Sequence, residues 1–125
     1  MNALQPFTRE YSFKASPKLL YTLIYTPEGL SRWFAESVSV EDDIYVFKWE
    51  GSEQRARLVQ SKENELVRFM WMDDFHKDYT MEMRILNEPV SREVALLITD
   101  HAEPADIDFY HRLWDTQVSR LQRLF

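Results

Sequence analysis

Apolar residues recur at three- and four-residue steps through residues 104–125, and this stripe constrains the fold more than any other feature of the sequence. The stripe consists of Ile107, Tyr110, Trp114, Val118, Leu121 and Phe125. Such spacing predicts one long amphipathic α-helix. Asp106 and Asp108 near its start and Arg120 and Arg123 near its end suit the helix dipole. A lone helix with a wide apolar face needs a second layer of structure to cover that face.

The layer predicted for this helix is a run of β-strands. Between residues 38 and 100, apolar and polar residues alternate with the period of two that is typical of strands. The predicted strands cover residues 44–49, 54–60, 66–72, 79–85 and 93–99. Short polar connections such as Glu50-Gly51-Ser52 separate them, and this favours an antiparallel meander.

The N-terminal part of the chain predicts one more strand and two short helices. A strand over residues 7–13 carries three aromatic residues on one face, with Arg9 as the polar exception. The pairs Ser16-Pro17 and Thr26-Pro27 each combine an N-cap residue with proline at the first helical position. The sequence therefore predicts a single α+β domain over residues 1–125. In it, an antiparallel β-sheet wraps around a long C-terminal α-helix, and two short helices follow the first strand.

Several segments resemble a known family. They are residues 16–21 (SPKLLY), 26–34 (TPEGLSRWF), 47–51 (FKWEG) and 67–71 (VRFMW), with Leu113-Trp114 in the last helix. Together they resemble the START-like superfamily (SRPBCC, birch-pollen-allergen-like) of helix-grip proteins. Within it, they resemble most the homologues of the activator of the heat-shock protein 90 ATPase. The resemblance extends over essentially the whole chain and implies the helix-grip fold.

The same resemblance implies a function. The first hypothesis is non-enzymatic binding of a small hydrophobic ligand in a cavity between the sheet and the C-terminal helix. The alternative is a protein-interaction module without a ligand, either chaperone cofactor-like or self-associating. An enzyme acting on a hydrophobic substrate is the third hypothesis, because no serine lies in a Gly-x-Ser-x-Gly setting. We expect no catalytic residues and no cofactor.

By this resemblance, ten residues would line the ligand cavity. They are Trp33, Phe34, Trp49, Phe69, Trp71, Met81, Met83, Tyr110, Trp114 and Gln117. The rings would form apolar walls, and the methionines would make those walls adaptable. The alternative is that these side chains only fill the core, as regularly spaced aromatic residues often do. Buried Trp and Tyr need hydrogen-bond partners, and we expect Arg9, Thr99 and Gln117 to supply them.

Met70 and Met72 are the predicted interface residues. They point outward if Phe69 and Trp71 point inward, and they then lie beside Arg68 on a polar sheet face. An exposed methionine pair in that setting predicts contact with a protein partner or a second copy of the chain. The alternative is that scattered surface apolar residues need no explanation.

Composition disfavours other classes of partner. The chain has 15 basic and 21 acidic residues, a net charge of −6, which would repel nucleic acid. It has no cysteine and only two glycines, so thiol chemistry and Gly-rich phosphate loops are excluded. No apolar run approaches the ~20 residues of a membrane span, and the first ten residues lack a signal-peptide core. We expect a cytoplasmic protein.

Two groups of residues contain the types of side chain that bind metals. Residues 73–78 collect three aspartates and His76, but they lack the glycine and the distal glutamate of a calcium loop. A solvated hairpin tip is the favoured interpretation of this segment. Asp100-His101 and His111 do not have the spacing of a zinc site. We therefore expect no metal.

Overall fold

The computed structural model describes residues 4–73, 79–88, 90–91 and 93–125. The strands are β1 (Gln5–Phe13), β2 (Ser37–Glu41), β3 (Ile44–Trp49), β4 (Ser52–Lys62), β5 (Leu66–Trp71), β6 (Thr80–Glu88) and β7 (Glu93–Ala102). The helices are α1 (Pro17–Tyr25), α2 (Pro27–Leu30) and α3 (Ile107–Gln122), and a 3-10 turn (Pro104–Asp106) precedes α3. This order of elements confirms the predicted α+β class.

The strands form one antiparallel sheet with the spatial order β1-β7-β6-β5-β4-β3-β2. Strands β2 to β7 follow one another as neighbours, and β1 pairs with β7, from Gln5 opposite Ala102 to Phe13 opposite Val94. The side chains of α3 and the inner face of the sheet share one core. The predicted sheet around a C-terminal helix is therefore confirmed.

Two details differ from the sequence prediction. Residues Ser37–Glu41 form a separate edge strand, which is short and mostly exposed and was not predicted as an element of its own. It is joined to β3 by a turn in which Asp42 has a φ of 57°. The last helix ends at Gln122 rather than at Phe125. Neither it nor any other helix in the described residues has the length and apolar character of a membrane span.

Side-chain caps start both short helices, as predicted. Ser16 Oγ accepts a hydrogen bond from the Leu19 N–H at 3.1 Å, and Thr26 Oγ1 accepts one from the Gly29 N–H at 2.9 Å. A proline occupies the first turn of each helix. Because α2 begins directly after α1, the chain bends at Thr26 between them.

Gly29 allows α2 to fold closely against α1. A Cβ atom at this position would lie 2.3 Å from the Thr22 carbonyl oxygen and 2.7 Å from Leu23 Cα. Both obstacles are backbone atoms, so only glycine fits without moving the helix. The close approach turns the following residues, Trp33 and Phe34, into the core, where they are 2% and 3% exposed.

One charged cluster ties β1 to α3 on the inner side of the sheet. Arg9 Nη2 donates to both Asp115 carboxylate oxygens at 2.7 Å, and Arg9 Nε donates to Oδ1 at 3.2 Å. The Tyr11 hydroxyl donates to the same Oδ1 at 2.6 Å. Arg9 is thus the polar exception of its strand because α3 brings a carboxylate to it.

Candidate functional site

A cavity of about 110 Å³ opens between one end of the sheet and α3. It is lined by Phe34, Trp49, Gln54, Trp71, Asp100, His101, Tyr110, Leu113, Trp114 and Gln117. Half of these residues are aromatic, and the wall also includes two amides, a carboxylate and an imidazole. The cavity therefore combines apolar surface with a few polar groups, the usual composition of a small-molecule site.

The directions of the strands explain why the cavity lies at this end of the sheet. Trp49 and Trp71 are the last residues of β3 and β5, which run in the same direction because the antiparallel β4 lies between them. Strand β7 runs in that direction too and carries Asp100 near its end. Gln54 lies near the start of β4, opposite Phe47. These strand ends meet where α3 begins to cross the sheet.

Phe34 is the centre of the aromatic wall. Its ring lies 5.6 Å from that of Trp114, with the two planes 28° apart, and 5.7 Å from that of Trp49 in an edge-on contact. Its carbonyl oxygen accepts hydrogen bonds from Trp49 Nε1 at 2.9 Å and from Gln117 Nε2 at 3.1 Å. The turn after α2 is thereby fastened to both β3 and α3.

The polar end of the cavity contains Asp100 and His101. The Asp100 carboxylate accepts from Trp114 Nε1 at 3.2 Å and from the His101 backbone N–H at 2.9 Å. His101 Nδ1 lies 2.9 Å from the Thr80 carbonyl oxygen, which can only accept, so Nδ1 carries the proton. Burial, together with the negative charge of Asp100, raises the pKa of Tyr110 and keeps its phenol neutral.

Six of the ten predicted ligand residues line this cavity: Phe34, Trp49, Trp71, Tyr110, Trp114 and Gln117. The other four, Trp33, Phe69, Met81 and Met83, lie in the core away from its wall and are at most 2% exposed. Trp33 donates its Nε1–H to the Leu23 carbonyl at 2.8 Å, and the other three lie at paired positions of β5 and β6, with Phe69 opposite Met81 and Val67 opposite Met83. For these four residues the structure has the arrangement of a filled core.

Four wall residues were not predicted from the sequence: Gln54, Asp100, His101 and Leu113. Three of them lie close to strand ends, at the same end of the sheet as Trp49 and Trp71. Leu113 precedes Trp114 on α3 and is 39% exposed. Position near a strand end could have identified Gln54, Asp100 and His101 as wall residues. Their side-chain types alone do not distinguish them from other polar residues of the sheet.

Only part of the predicted hydrogen bonding of the aromatic side chains is present. Arg9 interacts with the Tyr11 hydroxyl and shares Asp115 with it, whereas Thr99 pairs with Thr8 and Glu82 in the sheet, away from the aromatic cluster. Gln117 bonds to a backbone carbonyl rather than to a ring. The indole N–H groups of Trp33, Trp49 and Trp114 instead donate to two backbone carbonyl oxygens and to the Asp100 carboxylate. The alternation of side chains along a strand does not predict these acceptors.

Met70 and Met72 follow the alternation of β5. Their neighbour Phe69 is fully buried, whereas Met72 is 45% exposed and Met70 is half-buried. Met70 pairs with Arg57 and Thr80 across the sheet. The two methionines therefore lie on the side of the sheet opposite to the core.

The candidate metal ligands fall partly outside the described residues. His76 and the rest of residues 74–78, which contain most of the acidic connection, lie outside them. Within the described ranges, no group of three or more His, Cys, Asp or Glu residues has the arrangement of a metal site. His111 packs against Phe7, with ring centroids 5.3 Å apart.

Comparisons with known proteins point to one superfamily. A family model described as a START-like superfamily domain matches residues 1–125. The solved structure of BfR322 from Bacteroides fragilis is 31% identical in sequence, with 99% of this chain and 92% of that chain covered and a TM-score of 0.68. No match was found among the curated proteins.

Two more distant structures share the fold. The Aha1 dimer from Colwellia psychrerythraea is 16% identical, with 94% of this chain and 93% of that chain covered and a TM-score of 0.80. The protein XoxI from Bacillus cereus is 15% identical, with 96% and 94% covered and a TM-score of 0.80. At these identities the likeness concerns the fold alone.

Proposed function

The chain belongs to the START-like superfamily, and we propose that it binds one small hydrophobic molecule in the cavity between the sheet end and α3. The observation that carries this proposal is the wall of five aromatic side chains around about 110 Å³ of space. The three wall tryptophans and their neighbours would bury the apolar surface of a ligand. Binding without catalysis in the cytoplasm, as expected from the sequence, belongs to the same proposal.

The size of the cavity restricts the ligand. Drug-sized molecules occupy pockets of roughly 300–1,000 Å³, whereas an engineered cavity of about 150 Å³ holds one benzene ring. A space of about 110 Å³ that is open on one side suits a single ring or a short branched chain. A lipid or a multi-ring compound would need the wall to move.

Benzene titration followed by NMR of the indole N–H groups tests this proposal. The chain has four tryptophans, of which Trp49, Trp71 and Trp114 line the cavity and Trp33 does not. We expect the three wall resonances to shift saturably at millimolar benzene and the Trp33 resonance to stay in place. Native mass spectrometry of the freshly purified protein, compared with its denatured mass, would then show any molecule it carries.

A cavity-filling variant provides the matched control. Leu113→Trp adds bulk at the cavity wall and should abolish the benzene shifts, because Leu113 is a lining residue. Phe109→Trp makes a similar change one turn earlier on α3, where Phe109 is 55% exposed and does not line the cavity. Equal binding by both variants, or equal shifts of all four indoles in the parent protein, would contradict the proposal.

Self-association is the second candidate function. It is supported by the exposure of Met72 on the outer sheet face, beside Met70, and by a fold relative whose solved structure is a dimer. In this case Met70→Glu/Met72→Glu should convert a dimer to a monomer in sedimentation velocity. The control Val40→Glu alters a residue that is 37% exposed on the edge strand β2 and should leave the dimer intact. A parent protein that is monomeric at all concentrations would exclude this candidate.

A further inference from the structure

Gln117 is a buried polar side chain on α3, beside residues of the hydrophobic core. It is 8% exposed, the buried polar residue of the described part of the chain, and it lines the cavity. Its neighbours on α3, Trp114 and Val118, belong to the hydrophobic core. A buried amide has an oxygen that accepts hydrogen bonds and an NH2 group that donates two. The bonds that these atoms make therefore indicate which groups surround the side chain.

The orientation of this amide follows from chemistry. Gln117 Nε2 lies 3.1 Å from the Phe34 carbonyl oxygen, which accepts and cannot donate. The nitrogen must therefore face Phe34, and Oε1 is the atom left for another partner. Oε1 has no hydrogen-bond partner among the described residues. The described side-chain atoms that are both unpartnered and fully buried are Asn64 Oδ1 and His111 Nε2, so Gln117 Oε1 is not fully buried. Because Gln117 lines the cavity, its acceptor is open to whatever occupies that space.

We infer that the ligand is a compact aromatic compound carrying an N–H or O–H group that donates to Gln117 Oε1. This inference rests on the proposed binding function and adds the chemical class of the ligand. The five aromatic side chains of the wall suit one ring, and the amide oxygen selects rings that carry a donor. A purely apolar ring would leave the buried oxygen without a partner, which is unfavourable.

Phenol and toluene test the inference, because they differ by a hydroxyl in place of a methyl group. Toluene leaves water more readily, so the informative quantity is the ratio of the two dissociation constants in the parent protein compared with Gln117→Met. Methionine keeps the length of the side chain and removes the acceptor. We expect the substitution to weaken phenol binding relative to toluene by about 5- to 10-fold, the effect of one neutral hydrogen bond.

A second glutamine supplies the control. Gln122→Met removes an exposed amide from the same helix at a residue that does not line the cavity, so the ratio should not change. If Gln117→Met does not fold, the side-chain carbonyl carbon of Gln117 in the parent protein provides a second readout. Its NMR resonance should move more with phenol, which donates a hydrogen bond to Oε1, than with toluene, which only packs nearby.

The outcomes separate the two proposals. If both rings bind and the ratio is the same in the parent and in Gln117→Met, or if the Gln117 carbonyl resonance responds equally to both rings, the inferred ligand class is wrong while the binding function stands. If neither ring binds the parent protein at millimolar concentration, the binding function fails and the inference fails with it. A change in the ratio with Gln117→Met but not with Gln122→Met is the result we expect.

Discussion

Asp115→Asn is the substitution that most directly tests how the C-terminal helix is held on the sheet. The carboxylate accepts three hydrogen bonds from Arg9 and one from the Tyr11 hydroxyl. Asparagine keeps the size of the side chain but removes the negative charge and replaces one oxygen with a donor. That donor would face a guanidinium group, which also can only donate. The variant should therefore loosen the contact between β1 and α3.

The magnitude follows from the exposure of the two partners. Breaking a buried ion pair by removing one partner costs about 3–5 kcal/mol, and exposed pairs contribute about 0.2–1 kcal/mol. The side chains of Arg9 and Asp115 are 32% and 45% exposed, so water already screens this pair considerably. Because Arg9 binds both carboxylate oxygens of Asp115, this ion pair should contribute more stability than a simple surface pair. We expect a loss of about 1–1.5 kcal/mol, which lowers the melting temperature of a domain of this size by about 3–6 °C.

Urea unfolding measured side by side with Glu10→Gln checks this value. Glu10 lies on the same strand, is exposed and makes no ion pair with any described residue, so its change to an amide should cost less than about 0.5 kcal/mol. In a double-mutant cycle with Arg9→Met, most of the loss should appear as coupling energy. An Asp115→Asn variant as stable as Glu10→Gln would refute the reasoning.

The pH dependence gives an independent check of the same cluster. The hydrogen bonds from Arg9, opposed by burial and helped by Tyr11, hold the pKa of Asp115 below its usual value. A carboxyl group whose folded-state pKa is lowered adds stability above its unfolded pKa of about 3.9 and loses it as the pH falls through the folded value. The stability difference between the parent and Asp115→Asn should therefore be constant near neutral pH and shrink below about pH 4.

Three further predictions concern other parts of the fold. Gly29→Ala should cost about 2–3 kcal/mol in chemical unfolding because its Cβ would overlap the backbone of α1, whereas Gly51→Ala, at a φ of 79° with open space around it, should cost only about 1 kcal/mol. Glu82→Gln should destabilise by about 1–2 kcal/mol near neutral pH and by less in acid. Burial opposes the ionisation of Glu82, but Arg84 and Arg68 outweigh it and lower its pKa. Trp33→Phe should cost about 2 kcal/mol and leave benzene binding unchanged, because it removes a bond to the Leu23 carbonyl in the core and no part of the cavity wall.

Local patterns account for most of the fold that the sequence predicted. The proline pairs at positions 16–17 and 26–27 specify their own helix starts, and the apolar stripe of α3 requires a sheet. Strand β2 was not predicted as a separate element because its side chains are mostly exposed and its position depends on pairing with β3. The partner of Arg9 could not be predicted either, since Asp115 lies 106 residues away and only the packing of α3 on β1 brings them together.

The cavity shows why side-chain periodicity predicts a site incompletely. Alternation along β5 correctly puts Phe69 and Trp71 on the same face, and by that criterion the two residues are equivalent. They differ in position along the strand, because Phe69 lies mid-strand under the core while Trp71 is the last residue and reaches the cavity. The same distinction separates Phe47 from Trp49 on β3. A cavity in this fold depends on how far α3 and the turn after α2 extend over the sheet, a property of three elements together that the pattern of each strand does not contain.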